Sequence, residues 1–224
     1  KPHNINRMID QVLRLLRMVD WRGERGHPVA EVLDGFSWSS TGLLALAGMS
    51  SSTVRDALEV ATSFSHLALP VIRIDARDRS GETVMKVELA CDLEEMGPMM
   101  LELAIFGLKR MVDEMTEDLP TTRVKLAHPH WFGVDEADAV ARYREYFDCE
   151  VEFNSDFSGI VGGPEFWSVP IRNANNATRQ MALDMLRVAD SRAAEADTFA
   201  GRVRAVLEHA AEEGLYLKLD ELAD

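Results

Sequence analysis

The chain has 224 residues, of which 46% are hydrophobic and 28% charged, enough apolar content for one large or two small buried cores and too much for a disordered chain. Asp and Glu number 38 against 24 Lys and Arg, a formal net charge of −14, so these residues by themselves are repelled by a nucleic-acid backbone. No apolar run of roughly 18 residues points to a membrane, the two cysteines fall in no disulfide or zinc spacing, and with no export pattern at the start the expected compartment is a reducing cytoplasm.

Lys1 in place of an initiating Met is read as the mark of a longer protein trimmed at its N-terminus. Ile5, Met8, Ile9, Val12, Leu15 and Leu16 follow i, i+3, i+4 spacing and predict an amphipathic helix. Gly23 to Pro28 is turn chemistry, and Phe36 to Met49 reads as a short helix of small residues and Leu. Thr53-Val54-Arg55-Asp56 has the form of a capping box, so a helix follows with Ala57, Val60, Ala61, Phe64 and Leu67 on one face, before Pro70. The period then becomes two. Ile72, Ile74 and Ala76 alternate with Arg73, Asp75 and Arg77, and beyond Arg79-Ser80-Gly81 the residues Met85, Val87 and Leu89 alternate with Val84, Lys86 and Glu88, which predicts a hairpin.

A helix is expected from Pro98 to about Met115. Its stripe holds Leu101, Ala104, Ile105, Leu108, Met111, Val112 and Met115, widened by Met100, Leu103 and Phe106, with Glu102, Lys109, Asp113 and Glu114 facing outward. A strand over Thr121–Ala127 leads into His128-Pro129-His130-Trp131, then an acidic helix buries Val140, Tyr143 and Phe147. Val151 and Phe153 form a short strand that Phe157 to Val161 is expected to pair with, until Gly162-Gly163-Pro164 ends the ladder. The final stretch is helical, with one seam at Met181, Met185, Leu186 and Val188 and a second at Phe199, Val203, Val206, Leu207 and Ala210. This order lacks the crossovers of a doubly wound sheet and predicts an α+β fold, a mostly antiparallel sheet packed by helices, with a C-terminal helical dimerisation or linker segment.

The arrangement resembles the N-terminal effector-binding region of AraC/XylS-type transcriptional regulators, of the helical arabinose-binding-like class rather than the cupin class. The resemblance is carried by Gly42-Leu43-Leu44-Ala45-Leu46-Ala47-Gly48-Met49-Ser50-Ser51-Ser52-Thr53 with Asp56-Ala57-Leu58, by His128-Pro129 after a strand, by Tyr143 and Phe147, by Val151-Glu152-Phe153 and by Pro170-Ile171. Ser158 stands where many members have Asn. Phe199, Val203, Arg204, Leu207 and Gly214, with Leu219-Asp220-Glu221-Leu222-Ala223-Asp224, are similar to the segment that enters the family's DNA-binding domain. The resemblance implies three parts: an effector-binding α+β domain over 1–172, a helical dimerisation or linker segment over 173–213, and the start of a truncated helix-turn-helix domain over 214–224. The basic residues of such a domain would offset the acidic balance seen here.

Chemistry-bearing patterns are sparse. His128-x-His130 could place two imidazoles on one side of an extended segment, as a metal pair does, but no third ligand follows at metal spacing, and a strand exit or pocket rim is the better account of them. Neither cysteine has a histidine nearby in sequence, no serine lies in a nucleophile elbow, and the Gly159, Gly162, Gly163 region lacks the Lys of a phosphate loop. The candidate ligand-binding residues are Trp38, Phe64, Arg73, Met100, Phe106, His130 and Trp131. Methionine suits an adaptable apolar pocket, the aromatics suit pocket walls, and Arg73 suits a carboxylate clamp if a helix covers its strand face. Each has a plainer alternative, ordinary core for the apolar residues and a pairing with Glu88 for Arg73. Met181, Met185 and Val188 are the dimerisation candidates.

The expected protein is therefore a homodimeric bacterial sensor of a small amphipathic or hydrophobic effector, reaching DNA only through a missing C-terminal domain, with no enzyme activity, catalytic residue, metal or cofactor. Two other readings stay open: a small-molecule enzyme with an unrecognised site near His66, His128 or His130, and a purely structural dimerisation domain.

Overall fold

The computed structural model describes residues 27–35, 42–79, 81–130 and 134–198. The expected helix over Ile5–Leu16, the seam from Phe199 to Ala210, the terminal segment and the candidates Trp38 and Trp131 lie outside these residues. Among the described residues six helices and a five-stranded sheet form an α+β fold, as the sequence patterning indicates.

Most of the turn expected over Gly23 to Pro28 lies outside the described residues; Pro28 itself stands in the first turn of helix α1 (Pro28–Asp34), where its missing N–H costs nothing. Helix α2 (Leu43–Met49) is the small-residue helix. Helix α3 (Val54–Ala68) starts on the anticipated capping box: Thr53 Oγ1 accepts the Asp56 N–H at 3.3 Å, and Asp56 Oδ2 accepts the Thr53 N–H at 3.2 Å. Strands β1 (Ile72–Arg79) and β2 (Glu82–Leu89) form the hairpin, in register from Ile72 opposite Leu89 to Arg79 opposite Glu82. Gly81 supplies the positive φ of 86° that the tight connection needs.

Helix α4 (Gly97–Met115) crosses the sheet and packs on β2, which it follows in the chain. Beyond it come β3 (Arg123–Lys125), α5 (Glu136–Phe147), β4 (Glu150–Glu152), β5 (Gly159–Gly162) and α6 (Asn176–Asp197). Asp135 caps α5 by accepting the Asp138 N–H at 2.9 Å, and α5 ends at Asp148 in the left-handed region with φ of 46°.

The expected pairing of the Val151 strand with the Phe157–Val161 strand is corrected by the strand order, β1-β2-β5-β3-β4. β5 inserts between β2 and β3 and is antiparallel to both, while β4 lies at the edge, parallel to β3. Parallel neighbours need a crossover, which α5 provides, so β4 is committed to β3 before β5 is reached. Gly159 permits the close approach of β5 to β2, because a Cβ there would stand 2.1 Å from the Met85 carbonyl oxygen.

Ile72, Ile74, Met85, Val87, Val124, Val151 and Ile160 join the apolar sides of α1, α3, α4 and α5 in the main core. A second, smaller cluster lies between α2, α3 and α6, where Ala47, Val60, Ala182, Leu183 and Leu186 are buried and Leu43, Leu44, Phe64 and Leu67 pack against them. The first turns of α6 are thus docked onto the α+β body, with His66 Nε2 and Asp190 Oδ1 2.8 Å apart.

The outward placement of Glu102 and Lys109 is also corrected. Both are buried, because α4 is covered on two sides: the sheet takes one, and α1 and α5 take the stripe formed by Glu102, Phe106 and Lys109 at i, i+4 and i+7, while Asp113 one turn on stays exposed as expected. Lys109 keeps its charge matched with an Nζ to Asp113 Oδ2 contact of 2.6 Å.

Candidate functional site

That second face of α4 meets α5 and the start of α1 in a cluster of rings around a buried carboxylate. Residues three and four apart on α5 put Tyr143 and Phe147 on its inner face. Phe147 stacks on Phe106 with ring centroids 3.7 Å apart and planes 14° from parallel. Tyr143 stands edge-on to Phe153, just beyond β4, at 5.0 Å, and Phe153 in turn meets His130 at 5.5 Å. His27, at the N-cap of α1, is edge-on to Tyr143 at 4.3 Å and to Phe147 at 4.8 Å.

Within this cluster the Tyr143 hydroxyl donates to Glu102 Oε1 at 2.7 Å, and His128 Nε2 lies 3.6 Å from the same oxygen. Burial raises the Tyr143 phenol far above its ordinary range, and the Glu102 carboxylate beside it adds to the effect, so Tyr143 is a permanent donor. Burial pushes His27 down to about 3 and lowers His128 against the opposing influence of the Pro129 carbonyl. The set therefore offers a phenolic donor, neutral imidazoles and a carboxylate in a ring-lined interior, chemistry suited to orienting a polar group. Burial pushes the Cys149 thiol up to about 12, which keeps it protonated and unreactive. Among the described residues no group of three or more metal-ligating side chains occurs.

Next to the cluster a cleft of about 260 Å³ opens between α1, α4 and α5. Leu33, Phe106 and Phe147 supply its apolar floor, and Tyr146, Lys109, Arg110, Asp34 and Asp113 surround it. Arg110 Nη1 contacts Asp34 Oδ1 at 2.9 Å, and Arg110 Nε contacts Glu114 Oε1 at 3.2 Å, so α1 is tied to α4 across the rim. A larger, more polar hollow of about 560 Å³ lies on the outer face of the sheet, among Asp75, Arg77, Lys86, Glu88 and Phe157.

Of the sequence candidates, Phe106 lines the cleft and His130 stands at the far side of the ring cluster. Met100 is in the main core and Phe64 packs on the second cluster, away from the cleft. Arg73 is exposed, opposite Glu88 in the hairpin; the helices cover the alternate side of β1, so the expected cover over its face is absent from the described residues. Met181, Met185 and Val188 all point outward from α6, each at least half exposed. The sequence reading missed His27 and Glu102 as members of the cluster. Only the spacing from Glu102 to Phe106 to Lys109 signalled that a charged stripe and an aromatic share one face of α4.

Ligand sites are typically clefts with an apolar lining and a few placed polar groups, and this α+β domain has a ring-floored cleft of that kind beside a buried polar cluster. Residues 31–171 match the family model of the arabinose-binding domain of AraC transcription regulator, N-term. The chain belongs to that family and is a regulatory ligand-binding domain. Its fold is similar to that in the crystal structure of transcriptional regulator CdpR from Pseudomonas aeruginosa, with a TM-score of 0.59 at 21% identity. The match covers 85% of this chain and 60% of that one. No curated protein matches. No helix among the described residues is long and apolar enough to cross a membrane.

Proposed function

We propose that the chain is the effector-sensing part of an AraC-type transcription regulator, binding a small amphipathic molecule in the cleft between α1, α4 and α5. The observation that carries this reading is that cleft: all of its lining residues except Ala30 fall within the segment matched by the family. An apolar floor of Leu33, Phe106 and Phe147 beneath paired charges fits a molecule with a hydrophobic body and a polar end, whereas a sugar needs a denser set of polar partners. Trp38, Trp131 and His130 remain candidate ligand-binding residues. DNA contacts belong to a separate C-terminal part of the regulator.

A thermal-shift screen against small metabolites tests the site. A ligand present at 100 times its dissociation constant adds about 2.7 kcal/mol, which for a domain of this size is a rise of about 5–10 °C. Tyr146 is substantially exposed on the cleft rim, so Tyr146→Ala should leave the unliganded midpoint nearly unchanged while removing at least half of the rise. Hits that stabilise Tyr146→Ala and Leu33→Ala as strongly as the parent protein would place the site elsewhere.

The reading includes a homodimer formed through α6. Its buried side is already used by Ala182, Leu183 and Leu186, yet Met181, Met185 and Val188 form a further stripe at i, i+4 and i+7 that is 56%, 50% and 51% exposed. Such a stripe is self-complementary about a two-fold axis and gains by burial against a second copy. Met185→Asp should therefore weaken dimerisation at least about tenfold without unfolding the chain, because the introduced charge would be buried only in the dimer. Sedimentation equilibrium reads this directly, and a parent chain that stays monomeric at high micromolar concentration would refute pairing through α6.

A further inference from the structure

We infer that Val169–Asn175 is a strap coupling α4, the helix that forms one wall of the cleft, to α6; the regulatory meaning of this coupling rests on the proposed reading of the cleft. On one edge, the Arg172 N–H donates to the carbonyl of Met115, the last residue of α4, at 2.9 Å. On the other edge the strap runs alongside the corner between α2 and α3. Val169 accepts the Val54 N–H at 2.9 Å, Pro170 pairs with Thr53, the Ile171 N–H donates to the Ser52 carbonyl at 3.1 Å, and the Asn175 N–H donates to the Ser50 carbonyl at 2.9 Å.

The strap is stiff and its far end is the N-cap of the next helix. Its sequence, Val169-Pro170-Ile171-Arg172-Asn173-Ala174-Asn175, contains a proline and no glycine, and Ile171 is anchored in the main core. Asn175 caps α6 by accepting the Thr178 N–H at 3.0 Å. One turn on, Arg179 Nε donates to Ser51 Oγ at 3.2 Å, and that hydroxyl donates to the Ala47 carbonyl at 2.9 Å. A displacement of α4 at the cleft, where Phe106, Lys109, Arg110 and Asp113 stand, reaches Met115 along a continuous helix and Arg172 through one hydrogen bond. It then arrives at the cap of α6, the helix whose outer face is the proposed pairing surface. The route is contiguous through hydrogen bonds and packed elements, and it carries a coupling free energy to the extent that it has two arrangements that both ends bias.

NMR-detected hydrogen exchange on the full chain tests the strap without an effector, so its outcome is independent of whether the cleft binds one. Phe106→Leu loosens the cleft wall on α4. It should speed exchange of the Arg172 and Asn175 amides, and of the first two turns of α6, by about fivefold or more. The Ala90 amide, which donates to the Val71 carbonyl at 2.8 Å beside the hairpin, should stay within about twofold of its parent rate. Should Phe106→Leu fail to fold, Leu33→Ala perturbs the same cleft from α1 and carries the same expectation. The inference is overturned if α4 amides accelerate while Arg172 and Asn175 keep their protection, or if the hairpin accelerates as much as the strap.

Discussion

Tyr143→Phe is expected to lower the free energy of unfolding by about 1–2 kcal/mol at neutral pH, the scale on which removing one partner of a buried hydrogen bond destabilises a fold. The substitution keeps the ring contacts with Phe106, Phe153 and His27 and removes only the hydroxyl that donates to Glu102 Oε1 at 2.7 Å. The oxygen it leaves behind is fully buried, so water cannot replace the lost donor without opening the interface between α4 and α5. Glu102→Gln preserves an acceptor for the hydroxyl at similar volume and should cost less. If the two side chains act on each other, the double variant Tyr143→Phe, Glu102→Gln will fall short of the sum of the singles by about 1 kcal/mol or more. Urea unfolding of the four proteins measures this; a Tyr143→Phe chain within about 0.5 kcal/mol of the parent would show that the hydroxyl contributes nothing net.

The same interface separates what the sequence discloses from what it hides. Elements specified by neighbours in the chain are legible: Thr53 and Asp56 satisfy each other within one turn, and the alternation of Ile72, Ile74, Met85 and Val87 selects the buried side of the hairpin. The order of strands is not, because β5 enters between β2 and β3, a choice set by what α5 has already linked. Nor is the burial of Glu102 and Lys109. A charged residue on a helix is normally solvated, and only the later arrival of α5, with Tyr143 at the right turn, makes an interior position tolerable for Glu102. The cleft follows the same logic. Phe106 is recognisable as an apolar residue on α4, but its role as floor depends on Phe147 stacking over it from α5 and on Leu33 from α1.

A cleft bounded by three helices has a consequence for how a ligand acts. α4 packs on the sheet along one side and ends at the strap bond from Met115 to Arg172, whereas α1 reaches it through a short apolar face and the Arg110 to Asp34 pair on the surface. Exposed pairs of this kind contribute little stability, so the α1 wall is the softer one. On the proposed reading, a molecule that fits only when α1 and α5 close over Phe106 binds that arrangement better than an open one, and only such a difference in affinity shifts a conformational equilibrium.

Acid should loosen the same region through His27. Its imidazole is fully buried against Tyr143 and Phe147, and burial holds its pKa at about 3, against 6.5 for an exposed histidine. Above pH 6.5 the side chain is neutral in both folded and unfolded chains and adds no pH dependence. As the pH falls below 6.5 the unfolded chain takes up the proton and the folded chain does not, so stability declines by about 1.4 kcal/mol per pH unit, until the folded state can protonate near pH 3. Between pH 7 and pH 4 this amounts to about 3 kcal/mol. His27→Gln, which cannot charge, should lose that much less stability over the interval than the parent does, whatever the carboxylates contribute to both. Urea midpoints for the two chains at pH 7, 5.5 and 4 give the comparison. Parallel declines would mean that His27 is protonated as readily in the folded chain as in water, and that the ring cluster at the start of α1 is open to solvent rather than closed.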